Sequence, residues 1–361
     1  MRYIEKMTSI PVPHIYHWGT AAENPLGLGA FIIMDYIPHE QSLCDLLRDP
    51  TLEDTSKGYL DPDLSRGKLE NVYRQLANIL LQLSTLEAPK IGALREHRGS
   101  FVVGSRPLTQ DMNDLIVQGG IPSSIFPPED TTYSTSDEWY ASLADFHVAH
   151  LTFQHNRAID SADDCRDKFV ARHLFRQRVR QGKLLEHAAS STIATPPTAA
   201  TVETSNKKPK ARQKKEKETF RLWIDDFRPH NILVDADLNI VGVIDWEWAY
   251  FAPASFAHDP PWWLLLGRPE YWRGTVLDFR DEFAGCYGFD PVFWEFLDER
   301  FFGDNVQGGY EGRIHLLSEK ARDRMEWLVE RKVEENKEQI IVDWNPEEAK
   351  AYLAQILADL G

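Results

Sequence analysis

The longest regular pattern of apolar positions lies between residues 69 and 86. Apolar side chains recur there at steps of three and four: Leu69, Val72, Tyr73, Leu76, Ile79, Leu80, Leu83 and Leu86. Because an α-helix completes a turn in 3.6 residues, this spacing predicts a helix with one broad apolar face. Further helices are predicted over Glu138–Asn156 and Asp163–Leu185. The aromatic and acidic sequence from Trp262 to Leu360 is also predicted to be largely helical.

The N-terminal part of the chain shows a different pattern. Residues Met1–Lys6 have the character of a helix interior, and the following Pro11-Val12-Pro13 should start an extended stretch over His14–Trp18. After a loop rich in Gly, Asn and Pro, the apolar run Ala30–Tyr36 has the pattern of a buried strand. Together these features predict a β-hairpin that ends near Pro38.

Composition narrows the class of protein. The chain has 361 residues, of which 42% are hydrophobic and 27% charged, as expected for one large domain or two lobes. No apolar run approaches the roughly 20 residues of a membrane helix, and no signal peptide is evident, so no membrane association is expected. A net charge of −16 argues against general nucleic-acid binding. Three widely spaced cysteines favour a reducing compartment, which predicts a cytoplasmic protein.

Residues 188–218 interrupt the well-patterned sequence. This segment holds Ser, Thr and Pro clusters and no aromatic residue, which predicts a disordered insertion. Within it, Lys207–Lys217 contains seven Lys/Arg residues and one acid. The run Lys207–Lys215 resembles a short nuclear-import signal. A solvated charge run that keeps a flexible loop soluble is the alternative reading, so nuclear localisation through this insertion stays open.

The residues that indicate chemistry lie directly after the insertion. An apolar approach, Phe220–Ile224, leads into a turn that holds two carboxylates, a cation, a proline and an amide. Two apolar strands separated by a turn at Asp237-Leu238-Asn239 follow, and the second strand ends in Asp245. Such a hairpin is expected to place Asp226, Asn231 and Asp245 near one end of its ladder.

This set of groups suits phosphoryl transfer. A carboxylate can orient an acceptor hydroxyl and accept its proton, while an amide and a second carboxylate supply the hard oxygen ligands that Mg²⁺ prefers. A cation beside the transferred group stabilises developing charge. Arg228 lies two residues after Asp226 and is the candidate for that role, although a structural ion pair is the rival explanation.

The stretch from Asp226 to Asn231 resembles the Asp-x-x-Pro-x-Asn catalytic loop of the aminoglycoside phosphotransferase and choline-kinase-like family, which shares the protein-kinase fold. Ile244-Asp245-Trp246-Glu247 resembles the Ile-Asp-Trp-Glu motif of that family, and the spacing of the two motifs is also similar. Pro11-Val12-Pro13 and the hinge at Met34-Asp35-Tyr36 resemble further family landmarks. The likeness covers nearly the whole chain except the insertion.

The resemblance implies a fold, a reaction and a set of roles. The implied fold is α+β and protein-kinase-like, with residues 1–37 as the remnant of an N-terminal β lobe and residues 38–361 as a mostly helical C-lobe. Asp226 would be the catalytic base, and Arg228 would be the cation that stabilises charge on the transferred group. Asn231 and Asp245 would be the magnesium ligands. The implied nucleotide-binding hinge consists of Asp35, Tyr36 and Ile37. The expected reaction is Mg²⁺-dependent transfer from ATP or GTP to a hydroxyl of a small molecule.

The sequence departs from the family pattern in several places. No glycine-bearing nucleotide loop or strand lysine is found before the helix that begins at Met1, so the β lobe is expected to be incomplete. Ile224 replaces the usual His two residues before the base. Asp225 stands where relatives often carry Gly, and capping or solvent exposure explains it. Two interpretations stay open: a phosphotransferase with a shortened β lobe and impaired activity, which the intact acidic and amide positions favour, or a non-catalytic pseudokinase or interaction module.

Overall fold

Helices and short strands alternate in the first part of the chain, and helices predominate towards its end. The computed structural model describes residues 1–51, 60–117, 119–155, 158–184, 218–258, 289–338 and 343–361. The helices there are α1 (Arg2–Met7), α2 (Leu43–Leu47), α3 (Arg66–Ser84), α4 (Gln110–Val117), α5 (Ser136–Phe153), α6 (Ala162–Arg180), α7 (Ala254–His258), α8 (Phe289–Val292), α9 (Asp298–Phe302), α10 (Glu319–Glu338) and α11 (Pro346–Asp359). The fold of these residues is α+β, which confirms the α+β part of the expected class.

The strands form four small antiparallel sheets within the described ranges. They are β1 (Ile15–Gly19), β2 (Phe31–Met34), β3 (Gln41–Ser42), β4 (Glu87–Ala88), β5 (Ala93–His97), β6 (Ser100–Ser105), β7 (Phe220–Ile224), β8 (Ile232–Val234), β9 (Ile240–Val243) and β10 (Ala249–Pro253). Strand β1 pairs with β2 and β5 with β6, while two three-stranded sheets have the orders β10-β7-β4 and β3-β8-β9. These two sheets hold the motif-bearing part of the chain.

The helices predicted at Met1–Lys6, along residues 69–86, and over 138–156 and 163–185 are confirmed, with differences at their ends. Of the stretch from Trp262 to Leu360 that is predicted to be largely helical, residues 262–288 and 339–342 lie outside the described ranges, and the rest contains α8, α9, α10 and α11. In α3 the apolar stripe buries Val72, Leu76, Ile79 and Leu83, as the three- and four-residue spacing requires. The hydroxyl oxygens of Thr135 and Ser161 accept hydrogen bonds from backbone N–H groups in the first turns of α5 and α6. Such capping supplies hydrogen-bond acceptors for backbone N–H groups of the first turn, which have no acceptor within the helix. Both helices therefore begin one or two residues before the apolar pattern predicts.

Two hydrophobic clusters make up the described core, and α5 contributes to both. The first cluster contains residues of the five helices α1, α2, α3, α4 and α5 and of the sheets around β7 and β8. The α5 residues in it include Trp139 and Phe153. The second cluster joins α5 to α6, α10 and α11 and contains Ala144, Val148 and Leu151. Because α5 is apolar on two sides, it connects the sheet-containing part of the protein to the helical part.

The strand predicted over Ala30–Tyr36 exists, but the expectation that it is buried is wrong. Strands β1 and β2 pair as an isolated two-stranded ribbon, and among their residues only Ile15 and Gly19 are buried. Large apolar side chains at the ribbon and just beyond it are exposed: Tyr16, Trp18, Ile32, Ile33, Met34 and Tyr36. An apolar run reaches the core only where another layer packs against it, and none of the described elements covers this ribbon.

Several other predictions concern residues at the margins of the described ranges. The insertion predicted at 188–218, including its basic run, lies outside them except for Glu218, whose Oε2 accepts a hydrogen bond of 2.9 Å from the backbone N–H of Ser136. Cys44 and Cys165 are buried free thiols, and Cys286 lies outside the described residues. None of the described helices combines the length and apolar character that a membrane crossing requires.

Candidate functional site

The polar turn after β7 is held at the end of a buried strand. Side chains of β7 alternate between buried and partly exposed positions, and the strand pairs with β10 on one side and β4 on the other. The backbone N–H of Phe227 bonds to the carbonyl of Ile224, which closes the turn at the end of the strand. A short 3₁₀ helix, Pro229–Asn231, then leads directly into β8. The turn that carries Asp226 is therefore fixed at both ends by β-structure.

Asp226 and Asn231 are in direct contact. The Asn231 Nδ2 donates one hydrogen bond of 3.0 Å to Asp226 Oδ2 and another of 2.9 Å to the Asp226 backbone carbonyl. Both residues are buried. Because a carbonyl oxygen can only accept, this contact fixes the orientation of the Asn231 amide and leaves its Oδ1 as the atom suited to a metal.

Arg228 lies against the other oxygen of the same carboxylate. Its Nε is 2.9 Å from Asp226 Oδ1, but the N–H does not point at the oxygen, so the contact is an ion pair without a hydrogen bond. The Arg228 side chain is 39% exposed, whereas that of Asp226 is 7% exposed. The structural ion pair considered from the sequence is thus present, and the exposed part of the guanidinium faces solvent beside the carboxylate.

The β8–β9 hairpin brings Asp245 to the same end of the ladder. Ile232 pairs with Val243, and the backbone N–H of Ile244 donates to the carbonyl of Asn231 at 2.9 Å. Asp245 is therefore the first residue beyond the pairing with Asn231, as the sequence predicts. It is exposed and has a φ of 61°, in the left-handed region that non-glycine residues seldom adopt. Such conformations concentrate at functional sites.

The carboxylates of this region influence one another. Burial raises the pKa of Asp226, while the cation of Arg228 and the Asn231 hydrogen bond act in the opposite direction and the charge of Asp245 raises the pKa further. Partial desolvation also raises the pKa of Glu247, and the charges of Asp245 and Asp226 add to the effect. The site thus combines a buried carboxylate of raised pKa with exposed acidic groups nearby.

The predicted hinge residues are placed in different surroundings. Asp35 Oδ1 accepts a hydrogen bond of 2.6 Å from the Tyr16 hydroxyl, and Tyr36 is exposed. Ile37 packs on β9, since a Cβ at Gly242 would lie 2.6 Å from Ile37 Cδ1. No hydrogen bond or ion pair of the described residues joins Asp35 or Tyr36 to Asp226. The structure therefore brings Ile37 to the hairpin, whereas Asp35 contacts Tyr16 of β1 and Tyr36 is exposed.

A magnesium ion fits the donor set of this region. Asn231 Oδ1 and the Asp245 carboxylate are hard oxygen donors at one end of one hairpin, and Mg²⁺ is commonly held by one or two carboxylates together with substrate phosphates and water. The described residues contain no group of three or more His, Cys, Asp or Glu side chains arranged for a metal. The fit therefore rests on the chemistry of one amide and one carboxylate.

Asp225 has a more specific environment than the sequence indicates. It is partly buried, Oδ1 accepts a hydrogen bond of 2.8 Å from Trp223 Nε1, and Oδ2 accepts one of 3.0 Å from the backbone N–H of Gln110. Solvent exposure is thus not the explanation for this residue, whereas helix capping is, because Gln110 is the first residue of α4. Gln110 is 115 residues away in sequence, and no local sequence pattern predicts this contact.

No family model matches the chain, and no match to it is found among the curated proteins or the solved structures.

Proposed function

We propose that this chain is a phosphotransferase with a protein-kinase-like arrangement, which transfers the γ-phosphoryl group of ATP or GTP to a hydroxyl of a small molecule. The observation that supports it most is the contact between Asp226 and Asn231 at the end of the hairpin whose second strand leads into Asp245. The order Asp-x4-Asn, strand, turn, strand, Asp is that of the aminoglycoside phosphotransferase and choline-kinase-like family, and it supports the kinase-like fold as part of the proposal.

The proposed roles follow from the surroundings of each group. The acceptor oxygen forms a bond to the γ-phosphorus, the bond from that phosphorus to the β-phosphate oxygen breaks, and the acceptor proton passes to Asp226, so that the nucleoside diphosphate leaves. Arg228 forms an ion pair with Asp226, and its partly exposed guanidinium can turn towards the transferred group. Asp35, Tyr36 and Ile37 are the proposed nucleotide-binding hinge.

Asn231 and Asp245 are the proposed magnesium ligands. When bound, Mg²⁺ neutralises charge on the nucleotide phosphates. Asn231 Oδ1 is kept in place by the two hydrogen bonds that the Nδ2 atom of the same amide makes to Asp226. Asp245 is aimed by its left-handed backbone, and its exposure leaves room for the phosphates.

Nucleotide binding tests the metal assignment. Isothermal titration of the wild-type chain with Mg·ATP and Mg·GTP is expected to show saturable binding. We expect Asp245→Asn to weaken it by about tenfold or more, because a charged ligand contributes more than about 1.5 kcal/mol. Asp237→Asn, on the turn at the opposite end of the hairpin, is the matched control and should bind as the wild type does. Equal affinity of Asp245→Asn and Asp237→Asn would remove Asp245 from the metal site.

A second candidate function is a non-catalytic interaction module. It is favoured by the exposed apolar side chains of the β1–β2 ribbon, since such patches mark interaction surfaces. In that case the chain binds neither Mg·ATP nor Mg·GTP, and its melting temperature stays unchanged when either is added. A clear thermal shift with Mg·ATP that is lost in Asp245→Asn would count against the module and for the phosphotransferase.

A further inference from the structure

Asp225 connects the turn of Asp226 to two other parts of the protein. Its carboxylate receives the Trp223 indole N–H on one oxygen and the Gln110 N–H on the other. Its backbone N–H donates to the carbonyl of Trp248 at 3.2 Å, three residues after Asp245. The residue is thus joined to α4 and to the segment that follows the proposed metal ligand.

The link to α4 supplies a partner that the helix needs. The first N–H groups of a helix have no intrahelical acceptor. At α4 the Thr109 hydroxyl accepts the N–H of Met112, and Asp225 accepts the N–H of Gln110. A carboxylate at this end also interacts favourably with the helix dipole. Burial raises the pKa of Asp225, and its two hydrogen bonds oppose that shift by stabilising the charged form.

We propose that Asp225 is a positioning residue that fixes the Asp226 turn against the N-terminus of α4 and so aims the proposed base. This inference rests on the proposed function. Asp225 touches neither proposed metal ligand with its side chain, so it acts on the reaction through the geometry of Asp226. A small misplacement of a reacting group lowers the reaction rate strongly, so a contact that fixes the Asp226 turn affects the rate.

A pair of substitutions separates this role from a general effect on folding. In Asp225→Asn only one oxygen remains, so the amide must turn an N–H towards either Trp223 or Gln110 and one hydrogen bond is lost. Adding Trp223→Phe removes the indole donor and lets the Asn oxygen accept from Gln110 again. Asp235→Asn is the control, since the Asp235 carboxylate likewise accepts N–H groups, two of them from the backbone, but lies at the other end of the hairpin.

The test combines kinetics with amide exchange in the protein without nucleotide. Asp225→Asn is expected to lower kcat of nucleotide turnover about tenfold, the worth of a hydrogen bond to a charged group, with KM for Mg·ATP changed less than about twofold. Amide exchange at Gln110 should become faster. The double variant should recover most of the lost kcat and slow the exchange at Gln110, and Asp235→Asn should match the wild type in both readouts.

The outcomes separate this inference from the function on which it rests. A wild-type chain without nucleotide turnover would overturn both. An active wild type with Asp225→Asn equal to Asp235→Asn in kcat would overturn the positioning role alone. A double variant in which the Gln110 amide again exchanges slowly while kcat stays as low as in Asp225→Asn would also contradict it, because the link to α4 would then not be what sets the rate.

Discussion

Opposing influences act on the pKa of Asp226. Burial favours the neutral acid, and the Arg228 cation and the Asn231 amide favour the anion. A base must be ionised before the reaction and must accept a proton during it, so a pKa raised by burial and held in check by neighbours suits this role. The pKa of Asp226 therefore depends on Arg228. The Nε atom of this partly exposed side chain lies 2.9 Å from the carboxylate.

Removing that cation should therefore raise the pKa of Asp226 further. In Arg228→Gln the neighbouring positive charge disappears, which disfavours the ionised form. Carboxyl ¹³C NMR titration of Asp226 should show a midpoint at higher pH than in the wild type. Arg66→Gln, which breaks an exposed pair with Glu70 on α3, is the control and should leave Asp226 unchanged. An unchanged or lower Asp226 midpoint in Arg228→Gln would show that the ion pair does not act on the base.

At the scale of elements, a buried ion pair links α6 to α8. The Arg172 Nε and Nη2 atoms donate to the two carboxylate oxygens of Asp290 at 2.9 and 2.6 Å, and both residues are buried. The Arg172 Nη1 also donates to the carbonyl of His147 on α5 at 2.9 Å. One guanidinium thus ties three helices together, and removing the carboxylate takes the ion-pair partner Asp290 away from a buried cation.

Asp290→Ala should therefore destabilise the protein severely. Breaking a buried pair by removing one partner costs about 3–5 kcal/mol. Urea unfolding should show a correspondingly lower free energy of unfolding. Glu70→Ala removes an exposed partner of Arg66 and should cost less than about 1 kcal/mol. A loss in Asp290→Ala as small as in Glu70→Ala would mean that the pair does not hold these helices together.

The elements themselves were largely predictable, and their surroundings were not. Periodicity predicts α3, α5 and α6, and alternation with turn residues predicts the β8–β9 hairpin and the proximity of Asn231 to Asp245. The burial assigned to Ala30–Tyr36 was wrong because burial depends on a neighbouring layer that a local pattern does not specify. The contact of Asp225 with Gln110 was missed for the same reason, since it joins residues far apart in sequence.

At the scale of the whole molecule, several histidines are kept neutral in the helical half. Burial lowers the pKa of His147 to about 3 and that of His173 to about 4, with Arg172 and Arg176 adding to the effect. Burial also places the pKa of His150 well below its usual value. An unfolded histidine binds its proton near pH 6.5. Between about pH 6.5 and 4 the unfolded chain therefore holds more protons at these positions than the folded protein does.

The free energy of unfolding of the protein should consequently fall as the pH drops through that window. The reason is that these histidines bind protons in the unfolded state and not in the folded state. His173→Gln removes one contribution, so its urea midpoint should decrease less between pH 7.5 and 5.0 than that of the wild type. His315→Gln alters an exposed histidine and should follow the wild type. A decrease in His173→Gln as large as in the wild type would mean that His173 is protonated in the folded protein.

Transfer of labelled γ-phosphate from Mg·ATP or Mg·GTP to a panel of hydroxylated amines and sugars tests the central claim most directly. The account predicts measurable transfer by the wild type and a loss of about 10²–10⁴-fold in Asp226→Ala, the usual contribution of a positioned base. Asp237→Ala, at the exposed turn of the same hairpin, should retain the wild-type rate. Transfer by Asp226→Ala at the wild-type rate would contradict the assignment of Asp226, and with it the proposed reaction at this site.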